Sequence, residues 1–126
     1  MTVRGIRGAT DVSSNQPEAV LAATRELLEA ILLANPTLKP VDLASVLFTV
    51  TEDLQSIYPA QAARLMGWED VPLMCACEIS VPDGLPRCVR VLLHWNTDLG
   101  QSQIQHVYLH GAAVLRPDLQ MLSAQR

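Results

Sequence analysis

Arg87-Cys88-Val89-Arg90-Val91-Leu92-Leu93-His94-Trp95 is the stretch on which the fold turns. It is rich in β-branched and apolar residues and contains neither Gly nor Pro. Turn residues precede it (Pro82-Asp83-Gly84 and Pro86), so it reads as a strand. Strand side chains alternate between faces. Val89, Val91, Leu93 and Trp95 form a core face, and Cys88, Arg90, Leu92 and His94 share the other. Arg90 is therefore a guanidinium in mid-strand with apolar neighbours. A desolvated charge is costly unless it is paired and hydrogen-bonded. Arg90 calls for an anion, either a carboxylate of the chain itself or one brought by a ligand.

The surrounding sequence supplies further elements. Residues 2–9 predict a short strand in which Gly5 and Gly8 flank Arg7, and strand glycines often mark close approach of another group. A helix follows Ser13-Ser14-Asn15, with Asn15 and Glu18 placed as N-cap and capping-box partner and Pro17 in the first turn. Val20, Leu21, Thr24, Leu27, Leu28, Ile31 and Leu32 make its apolar stripe, and Asn35-Pro36 ends it. Residues 39–42 suit a short helical turn, 43–51 a second strand and 58–67 a short helix stopped by Gly67. Tyr58, Gln61 and Arg64 are spaced by three and share a side of that helix. Residues 71–79 predict a third strand, with Leu73, Cys75 and Cys77 on one face and Met74, Ala76 and Glu78 on the other. Residues 106–110 predict a fifth, with His106, Tyr108 and His110 on one face. Leu115-Arg116-Pro117-Asp118-Leu119 reads as a turn, and the chain from about residue 116 to 126 is expected to be a mobile tail.

One long helix, one short helix and about five strands make a single α+β domain over residues 1–126. A lone long helix covers only one sheet face, and the other is too apolar for water, so a second chain is expected to cover it.

Composition narrows the function. The chain has 126 residues, 49% hydrophobic and 17% charged, enough for one core. A net charge of −4 argues against nucleic-acid or anionic-membrane partners, which require a basic field. No run of about 18 apolar residues is present to span a bilayer. The start lacks a signal peptide's apolar segment, and three Cys residues make no disulfide framework, so a cytoplasmic location is expected. Lys39 is the sole lysine among nine basic residues, and arginine grips carboxylates in a two-pronged way that lysine cannot.

Several chemistries find little support. Cys75, Cys77 and Cys88 sit among apolar residues that favour neutral thiols. Cys75-x-Cys77 with His106 and His110 lacks the tight-turn spacing of zinc sites. There is no Gly-rich phosphate loop, and no metal or cofactor is expected. What remains is Arg7, Arg64, Arg90 and Arg116 with Glu78 and Tyr108. This set suits a small dianion bearing a hydroxyl; equally, Arg90 and Glu78 could pair within the sheet.

Five motifs in one order, Arg4-Gly-Ile-Arg-Gly-Ala-Thr10, Cys75-x-x-Glu78, Cys88-Val-Arg-Val91, His106-Val-Tyr-Leu109 and Val114-Leu-Arg-Pro-Asp-Leu119, resemble the monofunctional AroH class of chorismate mutases. The resemblance implies a homotrimer forming a pseudo α/β-barrel, with active sites at subunit interfaces and chorismate rearranged to prephenate on the route to phenylalanine and tyrosine. It implies no cofactor. By position, Arg90 would face the ether oxygen, Arg7 and Tyr108 a carboxylate, and Glu78 and Cys75 the ring hydroxyl, Cys75 through its backbone or an irregular strand end. Tyr58, Gln61, Arg64, Leu73 and Met74 would come from the neighbouring chain, and Leu115 and Arg116 would close the pocket. Gln61 stands where relatives often carry Lys, Tyr58 where they carry Phe and Met74 where they carry Thr. A trimeric binding protein for a carboxylated metabolite is the other function compatible with composition.

Overall fold

The Arg90 strand lies at the centre of a five-stranded sheet. The structure is a computed structural model and describes residues 1–115. In chain order the strands are β1 (Thr2–Asp11), β2 (Leu43–Val50), β3 (Leu73–Cys77), β4 (Cys88–Thr97) and β5 (Val107–Tyr108). Their spatial order is β3-β2-β4-β1-β5. β4 runs antiparallel to both β1 and β2, while β3 and β5 add in parallel at the two edges. The sheet is therefore mixed, and its central strand is the one with the strongest alternation.

The alternation of β4 holds. Val89, Val91, Leu93 and Trp95 are fully buried, whereas Arg90, Leu92 and His94 are half-buried. Cross-strand pairing carries the same division outward. Ile6 and Val46 flank Leu93, and Gly8 and Phe48 flank Val91, all on the core face. The long helix α1 (Pro17–Ala34) and the short α2 (Ala60–Leu65) both cover this face, through Leu27, Leu28, Ile31, Ala60 and Ala63. Neither helix covers the opposite face, which carries Arg7, Ala9, Leu47, Thr49, Met74, Ala76, Arg90, Leu92 and Tyr108 by register.

Gly8 shows why α1 lies so close. A β-carbon there would sit 2.8 Å from Ile31 Cδ1, 3.2 Å from Val91 Cγ1 and 3.3 Å from Leu27 Cδ1. The glycine is the gap into which the helix stripe packs. At the far end of α1, buried Asn35 donates through Nδ2 to the carbonyls of Ile31 and Gln105, both at 2.9 Å, and accepts from the Gln105 N–H at 3.0 Å. One amide thus ends the helix and ties it to the segment entering β5.

Several local expectations are corrected. α1 begins after Gln16, which makes no side-chain cap. Asn15 Oδ1 instead accepts from the backbone N–H groups of Gln55 and Ser56, because that loop lies against the helix entrance. β1 runs to Asp11, two residues past its expected end, because β4 pairs with it along that whole length. The short helix spans 60–65 rather than 58–67, with Pro59 before it and Gly67 at φ 90° after it. β3 is confined to 73–77, although the Glu78 N–H still donates to the Val50 carbonyl at 2.8 Å.

The expected strand over 106–110 shrinks to two residues because side chains take over the pairing. His106 Nδ1 accepts the Arg7 N–H at 3.0 Å, and the Gln101 amide bonds both polar groups of the Gly5 backbone, at 3.0 and 2.7 Å. His110 has φ 52° and turns away from the face of Tyr108 to meet Glu26 of α1 at 2.8 Å. His110–Leu115 then forms 3₁₀ turns, so that neither the strand expected to reach His110 nor a turn beginning at Leu115 describes this segment. Arg116 and the expected mobile tail lie outside the described residues.

Replacing Gly8 by Ala should force Ile31, Leu27 and Val91 apart and cost about 1–3 kcal/mol. Urea unfolding of the Gly8→Ala protein against wild type measures this directly.

Candidate active site

Alternation and register place four of the sequence-predicted site residues around one cavity. β4 contributes Arg90, β1 contributes Arg7, β5 contributes Tyr108, and Glu78 follows the last residue of β3. They line a cavity of about 240 Å³ on the uncovered sheet face, together with Ala9, Leu47, Thr49 and Leu92. The floor is apolar and the charged groups stand at its margin. Two guanidinium-bearing residues against one carboxylate leave the site with an excess of positive charge.

Arg90 is neither locked into the sheet nor solvated throughout. Its Nε lies 3.4 Å from Glu78 Oε1, with the two side chains 40% and 26% exposed. That distance is within ion-pair range, but Nε is itself buried and has no hydrogen-bond partner among the described residues. The Arg90–Glu78 pair thus stands at the margin of the cavity itself. Glu78 draws Arg90 toward the cavity margin without saturating its donors. An exposed part of the guanidinium remains beside a hollow that a small anion could enter.

Glu78 has a second restraint: the Thr49 hydroxyl donates to Oε1 at 2.5 Å. Thr49 pairs with Arg90 across β2 and β4 and with Ala76 across β2 and β3, which puts it between the two charges. Arg7 is held through its main chain, whose N–H donates to His106 Nδ1. That bond requires the neutral ring to carry its proton on Nε2. Tyr108 is buried in a small cluster with Ala9, Cys88 and Ala112, and Leu115 packs on it from the 3₁₀ turns.

Burial pushes the Cys88 thiol above its ordinary value of 9.0, and the nearby Arg90 charge only partly opposes this. Cys88 is thus a neutral filler under Arg90 and an unfavourable nucleophile. Asp53 behaves differently. Burial raises its carboxyl, but the Thr51 hydroxyl and the backbone N–H of Arg87 outweigh that and hold it below 3.8. Asp53 thereby fixes the start of β4, where Arg87 adopts φ 46°.

The remaining sequence-predicted residues lie elsewhere in the chain. Cys75 and Tyr58 line a separate hollow of about 660 Å³ with Ile57, Pro59, Ala76 and Cys77. The Cys75 side chain is on the helix-covered side of β3, and Tyr58 is 72% exposed. Leu73 packs on the main core, and Met74 is 68% exposed on the open face. Gln61 and Arg64 lie on α2, Arg64 being exposed. Arg116 is outside the described residues. Thr49 and Leu47 are cavity residues that the sequence reading did not single out. Alternation along 43–51 puts them on one face, but only the β2–β4 register reveals that this face is Arg90's.

Cys75 and Cys77 lie on β3, whereas His106 and His110 flank β5 at the opposite edge of the sheet, too far apart to share an ion. Among the described residues no three His, Cys, Asp or Glu side chains converge as a metal site. Nor is any described helix long and apolar enough to cross a membrane.

Fold and cavity together define a small α+β protein with an anion-receptive site on a sheet face that its own helices leave open. Comparison with known proteins makes this specific: the chain belongs to the type I chorismate mutase family, whose model matches residues 3–119. It is 55% identical over 118 residues to chorismate mutase AroH of Thermus thermophilus, covering 94% of this chain and 97% of that one. It is 47% identical over 122 residues to chorismate mutase AroH of Bacillus subtilis, covering 96% and 95%. A chorismate mutase from Clostridium thermocellum has the same fold, with TM-score 0.85 and 48% identity over 87% of this chain and 97% of that one.

The raised thiol of Cys88 has a consequence for stability. The unfolded thiol ionises near 9.0 while the folded one still holds its proton. The Cys88 contribution is therefore complete below about pH 9 and is lost as pH rises through the folded value. Denaturant unfolding between about pH 8 and about pH 10 should show falling stability, and Cys88→Ala should remove part of the fall.

Proposed function

We propose that this chain catalyses the intramolecular [3,3] rearrangement of chorismate to prephenate, and that the Arg90 cavity is half of the site. The family supports the reaction, and the observation that carries the assignment to this cavity is Arg90 itself. A half-buried guanidinium, whose Nε has no hydrogen bond among the described residues, stands beside an apolar-floored hollow. In the rearrangement the ether C–O bond breaks as a C–C bond forms, within one molecule. No proton is transferred and no covalent intermediate is required, so the chemistry asks for no nucleophile, metal or cofactor.

Catalysis must then come from holding the reactive conformer and from stabilising charge. Negative charge gathers on the ether oxygen only as its bond to carbon stretches. A cation fixed there interacts more strongly with the transition state than with the substrate, which is the condition for raising kcat. Arg90 takes that role. Arg7 and Tyr108 hold a carboxylate and favour the compact diaxial conformer. Glu78 accepts a hydrogen bond from the ring hydroxyl, and the Cys75 backbone contacts the same group.

The second half of the site belongs to a neighbouring copy of the chain. The open face exposes Met74 and Ala76 beside the charged cavity, and Tyr58 and Arg64 are exposed near β3. Three copies joined through these faces form a homotrimer. Each copy would supply Tyr58, Gln61, Arg64, Leu73 and Met74 to its neighbour's cavity, with Leu115 and Arg116 closing it. Gln61 is uncharged, so the positive charge of the second half rests on Arg64. The enzyme works in the cytoplasm, in phenylalanine and tyrosine biosynthesis.

Purified protein with nothing added should consume chorismate, followed as loss of its ultraviolet absorbance, and EDTA should leave the rate unchanged. Absence of turnover by folded protein would refute the reaction. Arg90→Ala should lower kcat by at least about 10² while the oligomer elutes unchanged from a sizing column. Near-normal turnover in that variant would remove Arg90 from the mechanism.

A further inference from the structure

The Glu78 carboxylate is shared unequally between two donors. Its Oε1 accepts the Thr49 hydroxyl at 2.5 Å and lies 3.4 Å from Arg90 Nε. The closer partner is the neutral one. Arginine and a carboxylate in a partly dry site ordinarily close into a two-pronged pair with shorter contacts. Here they do not, and Nε keeps no hydrogen bond among the described residues. The backbone accounts for the arrangement. Thr49 stands directly opposite Arg90 in the β2–β4 pairing and directly opposite Ala76 in the β2–β3 pairing. Glu78 lies two residues beyond Ala76, with its N–H bonded to the Val50 carbonyl. Its side chain can reach Arg90 only across Thr49, and the hydroxyl takes hold of Oε1 on the way.

We infer that Thr49 is a positioning residue for the rearrangement: its hydroxyl holds the Glu78 carboxylate short of Arg90, so that the guanidinium stays turned to the cavity. This rests on the reading of the Arg90 cavity as a chorismate mutase site. By fixing Oε1, Thr49 also fixes the plane of the carboxylate and hence the direction of Oε2, the oxygen left to meet a substrate hydroxyl. Without the hydroxyl, Oε1 would lose a hydrogen bond in a half-buried place, and the nearest replacement donor is Arg90. The carboxylate would swing onto the guanidinium and compete with the substrate's ether oxygen for it. That loss falls on the transition state, where the ether oxygen bears most charge, more than on substrate binding.

Thr49→Val keeps the β-branched shape that a strand favours and removes only the donor. It should lower kcat about tenfold or more and change KM by less than about threefold, as expected when a bond to a charged group matters mainly in the transition state. Thr49→Ser, which restores a hydroxyl, should return kcat to within about threefold of wild type. In a Glu78→Ala background, adding Thr49→Val should change kcat by less than about twofold, because Thr49 acts through that carboxylate. If Thr49→Val fails to fold by circular dichroism, Thr49→Ala serves in its place. The inference is overturned by a hydroxyl-free variant with wild-type kcat, by failure of Ser to restore it, or by an undiminished effect without Glu78. An inactive wild-type protein would instead sink the chorismate mutase reading, so the two failures are distinguishable.

Discussion

A guanidinium fixed in the middle of a sheet, with its Nε left without a hydrogen bond among the described residues, is the constraint on which this molecule is arranged. Arg90 sits on the central strand, where the backbone is pinned on both sides by β1 and β2. It cannot be moved by bending a loop. Buried Val89 and Val91 on either side anchor it in the core below. A charge placed this way is held in orientation by the sheet itself, and orientation set in advance is what makes an electrostatic contribution large.

The rest of the cavity follows from the same sheet. Arg7, Thr49 and Tyr108 come from three further strands, and each is set by register rather than by loop geometry. Glu78 follows β3 and is held by its N–H bond to Val50 and by Thr49. The cavity is built on strands that share hydrogen bonds, and both helices lie on the other side of the sheet. A contiguous exposed apolar face is the kind of surface that marks an interaction site, and here it adjoins the charged cavity.

Period-two alternation made most of the sheet legible in the sequence. It separated Val89, Val91, Leu93 and Trp95 from Arg90 and Leu92, and it put Glu78 on the face opposite Cys75. The long helix was readable from its stripe of Val20, Leu27, Leu28 and Ile31. What sequence could not supply was register. That Thr49 stands between Arg90 and Ala76 depends on long-range pairing, and no local pattern encodes it. Capping was misjudged for a related reason: Asn15 has the right chemistry for a helix cap, but a distant loop at 55–56 competes for its oxygen and wins. His110 looked like a strand residue by spacing, yet its left-handed backbone sends it to Glu26 on α1.

The side chains that replace the missing part of β5 bear on how the protein survives at high concentration. From Gly5 to Ala9 the outer edge of β1 would offer main-chain donors and acceptors to any passing strand. Gln101 occupies both groups of Gly5, His106 occupies the Arg7 N–H, and the Leu109 N–H meets the Ala9 carbonyl. A row of such groups left bare is a template for polymerisation. Here its groups are taken up by residues far away in the chain, so a passing strand meets donors and acceptors already occupied along this stretch of β1.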